Sequence, residues 1–423
     1  MTYEMEYTTY LYACGARGAI AEPPKQEIDW EKIVQLAVEQ SITYTVAMAI
    51  KKAELGCPDD IRNRLISSLR GAAIKNSIKT DGILELVEKM EQAGIRVLIM
   101  KGIDAARCYA NPECRVSSDT DLLIAPEDEE KAYHVLTDAG FQMEERGEKS
   151  NHGIGTHPML GMVELHVKLL SDFYQNAIIK DWQLDDRAIK HCVRIDYRGK
   201  SYYAMEPTDN LLFLSHHMLK HLMYSGMSLR MMMDNALFAM QNLEKIDCER
   251  YAESLKDTNY LHTMQVIFGA MVKYCGFEMK DFPIEPLIDD ELIEAILTDL
   301  EESGWQGQKN ENERIEAWYY YRYKTALDTK DRDQVRAIRQ EVREGYRNAL
   351  FPPAEYMEEK YPNLKEHRWR YPFYCAHRIL TKGLERFFHT NWHDVRSEND
   401  VSKLSEGARQ KLELFKKLNL MAK

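Results

Sequence analysis

Asp119 and Asp121 stand one residue apart in the run Arg115-Val116-Ser117-Ser118-Asp119-Thr120-Asp121-Leu122-Leu123-Ile124. The aliphatic residues that follow read as entry into a buried β-strand. Side chains two apart on a strand point to the same side, so the two carboxylates project together. At that separation both stay comfortably ionised only with a cation between them. Hard divalent ions take oxygen ligands, commonly one or two carboxylates plus substrate phosphates. The pair therefore points to a Mg²⁺ (or Mn²⁺) site that holds a nucleotide.

An Asp-x-Asp by itself is also what two solvated acids at a strand entrance look like, so the flanking elements decide. Upstream, Val97-Leu98-Ile99-Met100 is a short apolar run with β-branched content that ends in Lys101-Gly102. Glycine lets backbone approach a phosphate, and lysine brings a point charge to it. Downstream, Met162-Val163-Glu164-Leu165-His166-Val167 alternates with period two, which sets Glu164, His166 and Lys168 on one face of a further strand. Glu164 is the natural third carboxylate. Arg115 offers a planar fork of donors for phosphate oxygens, or pairs with an aspartate to hold its loop. Ser118 donates to a phosphate or caps the turn.

The order Lys-Gly, then Arg-x-x-x-Asp-x-Asp, then Glu-Leu-His resembles the bacterial uncharacterised nucleotidyltransferase family within the DNA polymerase β-type nucleotidyltransferase superfamily. The likeness spans Val97 to Val167 and continues through Pro207-Thr208-Asp209-Asn210-Leu211-Leu212 and the stretch from His216 to Asp234. It implies an α+β fold: a polymerase β-like core with a mixed sheet, flanked by an N-terminal and a large C-terminal helical region. It also implies metal-dependent transfer of NMP from a nucleoside triphosphate to a hydroxyl on a small molecule, a protein or RNA. In that reading Asp119, Asp121 and Glu164 are the catalytic and metal-binding residues, with Glu164 completing the metal site or acting as general base. Lys101, Gly102, Arg115 and Ser118 are the nucleotide contacts. His166, His216, Arg230 and Asp234 are candidate substrate contacts, each weighed against plain packing. One departure matters. The superfamily carries Gly-Ser or Gly-Gly after its first core strand, whereas Ile103 follows Gly102 here. A hydroxyl that would contact phosphate is missing, and a catalytically silent nucleotide-binding regulatory protein on the same fold is the alternative.

The elements needed to position these groups are legible in outline. Asp29 caps a helix expected over 30–52, and a second helical region starts near Asp59-Asp60, either continues or breaks near Gly82, and stops at Gly94. Then come a strand (97–100), helix (103–110), strand (120–125), helix (127–139), strand (141–146) and strand (162–168), with a hairpin over Asp196–Tyr203. His152 and His157 fall in what reads as a loop. From Pro207 the pattern is helical, so the domains read as 1–94 (helical), 95–204 (αβ core) and 205–423 (helical). In the last region His217 and His221 lie four apart, a spacing that suits a metal on a helix face. Arg230 and Asp234 suit an i,i+4 ion pair. A helical interaction protein with a metal-binding histidine cluster would follow if the strand motifs were ignored. Trp318-Tyr319-Tyr320-Tyr321-Arg322-Tyr323 is aromatic enough to stack a base, but reads first as inter-helix packing.

Bulk properties narrow the class. At 423 residues the chain is long enough for two or three domains. A net charge of −12 argues against strong non-specific binding to duplex nucleic acid. The eight cysteines are scattered without metal spacing, as expected of free thiols in a reducing compartment. No apolar window reaches membrane-spanning length, and a cytoplasmic location is the expectation.

Overall fold

Period-two alternation sorts the central strands into a dry face and a chemical face. The computed structural model describes residues 1–144, 151–170, 182–304, 309, 311–328, 330, 332, 335, 336, 338–340, 357, 364, 367–378 and 404–420. Among these, seven strands form one mixed sheet: β1 (Val97–Ile99), β2 (Asp119–Ile124), β3 (Gln142–Met143), β4 (His152–His157), β5 (Gly161–His166), β6 (Val193–Tyr197) and β7 (Lys200–Ala204). Their order across the sheet is β3-β4-β5-β2-β1-β7-β6. β2 runs parallel to β5 and antiparallel to β1, while β4 runs antiparallel to β5.

Val97 and Ile99, Leu122 and Ile124, and Val163 and Leu165 all enter one buried cluster. The helix Asp59–Gln92 covers that face with Ile83, Val87 and Met90, whose spacing of four and three makes a single stripe. Asp59 and Asp60 occupy its first turn, where acids complement the helix dipole. Gly94, at φ 78°, takes the left-handed conformation that ends it. The intervening residues Asp119, Asp121, Glu164 and His166 are left for the opposite face.

The chain forms two compact units. One comprises residues 1–222 and 226–309 and contains the whole sheet. The other comprises residues 223–225 and 310–423. Within the second, the helices Glu311–Asp328 and Glu406–Lys417 pack together, and Trp318, Tyr321 and Tyr323 are buried there. Those three rings of the aromatic run are core.

Several boundaries differ from the sequence expectation for identifiable reasons. The helix expected over 30–52 is two helices, Trp30–Glu39 and Thr43–Ala53. Gln40 ends the first by turning its amide to the Leu300 carbonyl (2.9 Å) and the Leu229 N–H (3.3 Å), and Ser41 follows at φ 53°. The helix expected over 103–110 is one turn, Ile103–Ala106. The helix expected over 127–139 is Glu129–Asp138, entered through a 3₁₀ turn at Pro126–Asp128. Residues 145 and 146 of the strand expected over 141–146 lie outside the described residues. The expected hairpin is β6–β7, with Arg198 and Gly199 both at positive φ in its two-residue turn.

The largest difference is β4, where a loop was expected. His152-Gly153-Ile154-Gly155-Thr156-His157 is poor in β-formers, but its glycines admit neighbours that pack directly on the strand. A Cβ on Gly153 would sit 1.9 Å from the Tyr133 hydroxyl oxygen, and one on Gly155 2.5 Å from the Met143 sulfur. Gly153→Ala is therefore expected to destabilise the fold by about 1–3 kcal/mol through overpacking. Most of the loss should disappear in a Tyr133→Ala background. Denaturant melts of the two single variants and the double variant would show this, and strictly additive losses would count against it.

Candidate active site

Strand register assembles the chemical face. In the parallel pairing of β2 with β5, Asp121 lies opposite Glu164. In the antiparallel pairing of β4 with β5, His152 lies opposite His166. Three adjacent strands thus place Asp119, Asp121, Glu164, His166 and His152 side by side, at the few-ångström Cβ spacing of cross-strand neighbours. One carboxylate oxygen from each of Asp119, Asp121 and Glu164 lies within 4.8 Å of the others. That grouping and these all-oxygen donors fit a hard divalent cation.

Two basic side chains, Lys101 and His166, converge on the acids. Lys101, at the end of β1, places Nζ 2.8 Å from Asp121 Oδ1. His166 Nε2 lies 3.3 Å from the same oxygen and 3.3 Å from Glu164 Oε2. Asp121 is only 3 % exposed. Burial by itself would raise its pKa, but Lys101 and then His166 outweigh it and hold the carboxyl well below the usual carboxylate range. Burial likewise works against the charged form of His166, yet its bonds to Asp121 and Glu164 raise its pKa above the ordinary histidine value. The same balance, with burial opposed chiefly by Asp121, raises Lys101. Lys101 and His166 thus converge on the same oxygen of Asp121.

The loop before β2 is built from its own short bonds. Ser117 Oγ donates to the Asp119 carbonyl (2.9 Å) and to Asp119 Oδ1 (3.0 Å), and Ser118 Oγ reaches Oδ1 at 3.3 Å. Lys79, from the helix Asp59–Gln92, donates to the carbonyls of Ser117 (3.1 Å) and Asp119 (3.0 Å). Burial pushes the Lys79 pKa down to about 8, against the pull of Asp119. Gly102 adopts φ 57°, ψ −102°, a conformation open to glycine, and turns the chain from Lys101 into the helix Ile103–Ala106. Asp104 in that helix anchors the turn by accepting from Arg107 (2.7 Å), Tyr202 (2.8 Å) and Asn210 (2.7 Å).

A cavity of about 510 Å³ opens over this face. Its other wall comes from the helices Pro207–Tyr224 and Leu229–Asn242, including His217, Lys220, His221 and Arg230. His217 Nε2 lies 3.2 Å from Lys101 Nζ. Burial, and then Lys101, pushes the His217 pKa well below the ordinary value. An acidic wall therefore faces a wall of lysine, arginine and neutral imidazole, an arrangement suited to a polyanion carrying a divalent cation.

The sequence-derived candidates divide by geometry. Asp119, Asp121, Glu164, Lys101, Gly102, Ser118 and His166 come together at the cavity. Arg115 and Asp234 also line it, but chiefly hold each other: Arg115 Nε and Nη2 meet Asp234 Oδ1 and Oδ2 at 3.2 and 2.5 Å. Tyr109 donates to Asp234 Oδ1 (2.7 Å), and its hydroxyl meets that of Tyr12 at 2.8 Å. Of the two readings open for Arg115, pairing with an aspartate is the one present. Arg230 donates to the Val116 carbonyl at 2.8 Å, which ties the Leu229 helix to the loop carrying the aspartates. His216 is buried against Trp182 and Tyr260. Sequence reasoning missed Lys79, Asp104 and Lys220. Only Lys220 carried a signal, lying three residues after His217 and one before His221.

Residues 26–274, more than half of the 423-residue chain, match the model of a family described as uncharacterised nucleotidyltransferase. No curated protein and no solved structure matches the chain.

The buried imidazoles set an acid limit on stability. Burial, and then Lys220, pushes both His216 and His221 down to about 3 from the ordinary 6.5. Below pH 6.5 the unfolded chain takes up protons that the folded chain refuses, so stability is lost as pH falls. At about 1.4 kcal/mol per unit, each of these histidines costs about 2 kcal/mol by pH 5. His216→Phe, which keeps the ring stack, should melt with a shallower decline in Tm between pH 7 and pH 5 than the unaltered protein. Parallel Tm profiles would contradict this.

Proposed function

The chain belongs to the uncharacterised nucleotidyltransferase family, and from that premise we propose a metal-dependent enzyme of the DNA polymerase β-type superfamily. It moves an NMP group from a nucleoside triphosphate to a hydroxyl acceptor. The observation that carries this reading is the grouping of Asp119, Asp121 and Glu164 on one wall of a cavity whose other wall is cationic. Asp119, Asp121 and Glu164 would hold the divalent cation, with Mg²⁺ the ion best matched to an all-oxygen set. Bound there, such ions neutralise phosphate charge and lower the pKa of the acceptor hydroxyl, the two-metal arrangement being the usual form.

The chain's own residues do the remaining work. Lys101, Lys220 and Arg230 supply positive charge for the triphosphate, and the backbone at Gly102 gives phosphate a close approach. His217 and His221 are held neutral, so each can donate one hydrogen bond without adding charge. The acceptor oxygen bonds to the α-phosphorus while the bond from that phosphorus to the α–β bridging oxygen breaks. Pyrophosphate leaves with the electron pair. Glu164, whose side chain is 22 % exposed, completes the metal site or, in its stead, takes the acceptor proton as general base. Catalysis of this kind is mostly positioning and charge neutralisation. In this reading the protein is cytoplasmic and its acceptor is a small molecule, a protein or an RNA end.

Calorimetry with each nucleoside triphosphate and Mg²⁺ should give Mg²⁺-dependent binding of at least one. Asp119→Ala combined with Asp121→Ala should abolish that dependence. In a radiolabelled NMP-transfer assay on cell lysate, the same pair should lose at least about 100-fold in rate. Equal binding by both proteins would sink the site, and binding without label transfer would instead favour the silent regulatory reading.

A further inference from the structure

The acidic centre has a nitrogen-bearing neighbour. On β5, Glu164 and His166 are two residues apart and share a face, and His152 on β4 is the cross-strand partner of His166. The two imidazole rings lie 4.9 Å apart between centroids. One ligand atom from each of His152, Glu164 and His166 falls within 4.8 Å of the other two, as side chains around one ion must. Glu164 belongs to this trio and also to the trio with Asp119 and Asp121.

Two imidazoles and a carboxylate are a different donor set from three carboxylates. Imidazole suits Zn²⁺, Fe²⁺ and the later first-row ions, whereas Mg²⁺ and Mn²⁺ favour oxygen. A second observation points to a ligand here. His166 is 6 % exposed, and its Nδ1 is buried with no protein partner among the described residues. A buried polar atom left that way is costly. The ring thus retains coordination capacity beyond its contacts with Asp121 and Glu164. Three protein ligands also leave positions open for water or a substrate oxygen, as catalytic rather than structural metal sites do.

We propose that His152, Glu164 and His166 form a second cation site, selective for a later transition divalent ion such as Co²⁺ or Zn²⁺, which shares Glu164 with the all-oxygen site. The inference builds on the carboxylate site proposed above through that shared residue. The two positions are chemically unequal: one is hard and the other is borderline. The enzyme would then work best with Mg²⁺ together with a transition ion.

The test uses the full chain stripped of metal by a chelator, with Mg²⁺ and Co²⁺ as probes. Co²⁺-loaded protein should give ligand-field absorption and ¹⁴N modulation of its electron spin echo. His152→Ala, at a half-buried position, should weaken Co²⁺ binding by about tenfold or more and reduce the nitrogen modulation, leaving Mg²⁺ affinity unchanged. Asp119→Asn should do the reverse, weakening Mg²⁺ and sparing the Co²⁺ absorption. Melting curves without metal establish that each variant is folded. Absence of nitrogen modulation in the unaltered protein, or Co²⁺ binding unaffected by His152→Ala, would overturn the proposal. Mg²⁺ binding unaffected by Asp119→Asn, with Co²⁺ lost in His152→Ala, would remove the carboxylate site while upholding this one.

Discussion

The parallel pairing of β2 with β5 is the constraint on which the rest depends. It sets Asp121 directly beside Glu164, and the side-chain period of two leaves no tolerance. A slip of one residue would drive the carboxylates into the apolar cluster and turn Leu122 and Val163 out into the cavity. Register is specified because one face is buried so thoroughly: Val97, Ile99, Leu122, Ile124, Val163 and Leu165 are all within that cluster. The apolar half of the sheet is therefore what aims the polar half.

Gathering three acids on one buried face carries an electrostatic cost, and the surroundings are organised to meet it. Lys101 and His166 converge on Asp121 Oδ1, and Lys79 grips the backbone on both sides of Ser118. The buried Arg115–Asp234 pair acts one layer further out, joining the aspartate loop to the Leu229 helix. Removing one partner of such a pair costs about 3–5 kcal/mol, mostly as an uncompensated buried charge. Asp234, already braced by Tyr109, is thus a support of the site rather than a surface acid.

The sequence made the strand chemistry legible because that chemistry is local. Asp119 and Asp121, or Glu164 and His166, share a face by spacing alone, and the Lys101-Gly102 turn follows directly from an apolar run. What was illegible depends on partners distant in the chain. β4 looked like a loop because its glycines serve Tyr133 and Met143 rather than strand propensity. Gln40 breaks a helix for the sake of Leu300 and Leu229. Lys79 sits on a helix with nothing nearby in sequence to suggest that it reaches the Asp119 carbonyl. Arg115 had two plausible partners, and only the placement of the Leu229 helix selects Asp234. The carboxylate trio is readable from spacing, whereas the cationic wall that faces it needed the packing of the later helices Pro207–Tyr224 and Leu229–Asn242.

The most direct test of the account is a crystal structure of the full chain soaked with Mg²⁺ and a non-hydrolysable nucleoside triphosphate. The account expects a cation among the oxygens of Asp119, Asp121 and Glu164, with the phosphates between it and Lys101, Lys220 and Arg230. A nucleotide bound away from this cavity, or bound within it with no cation at the three carboxylates, would contradict it.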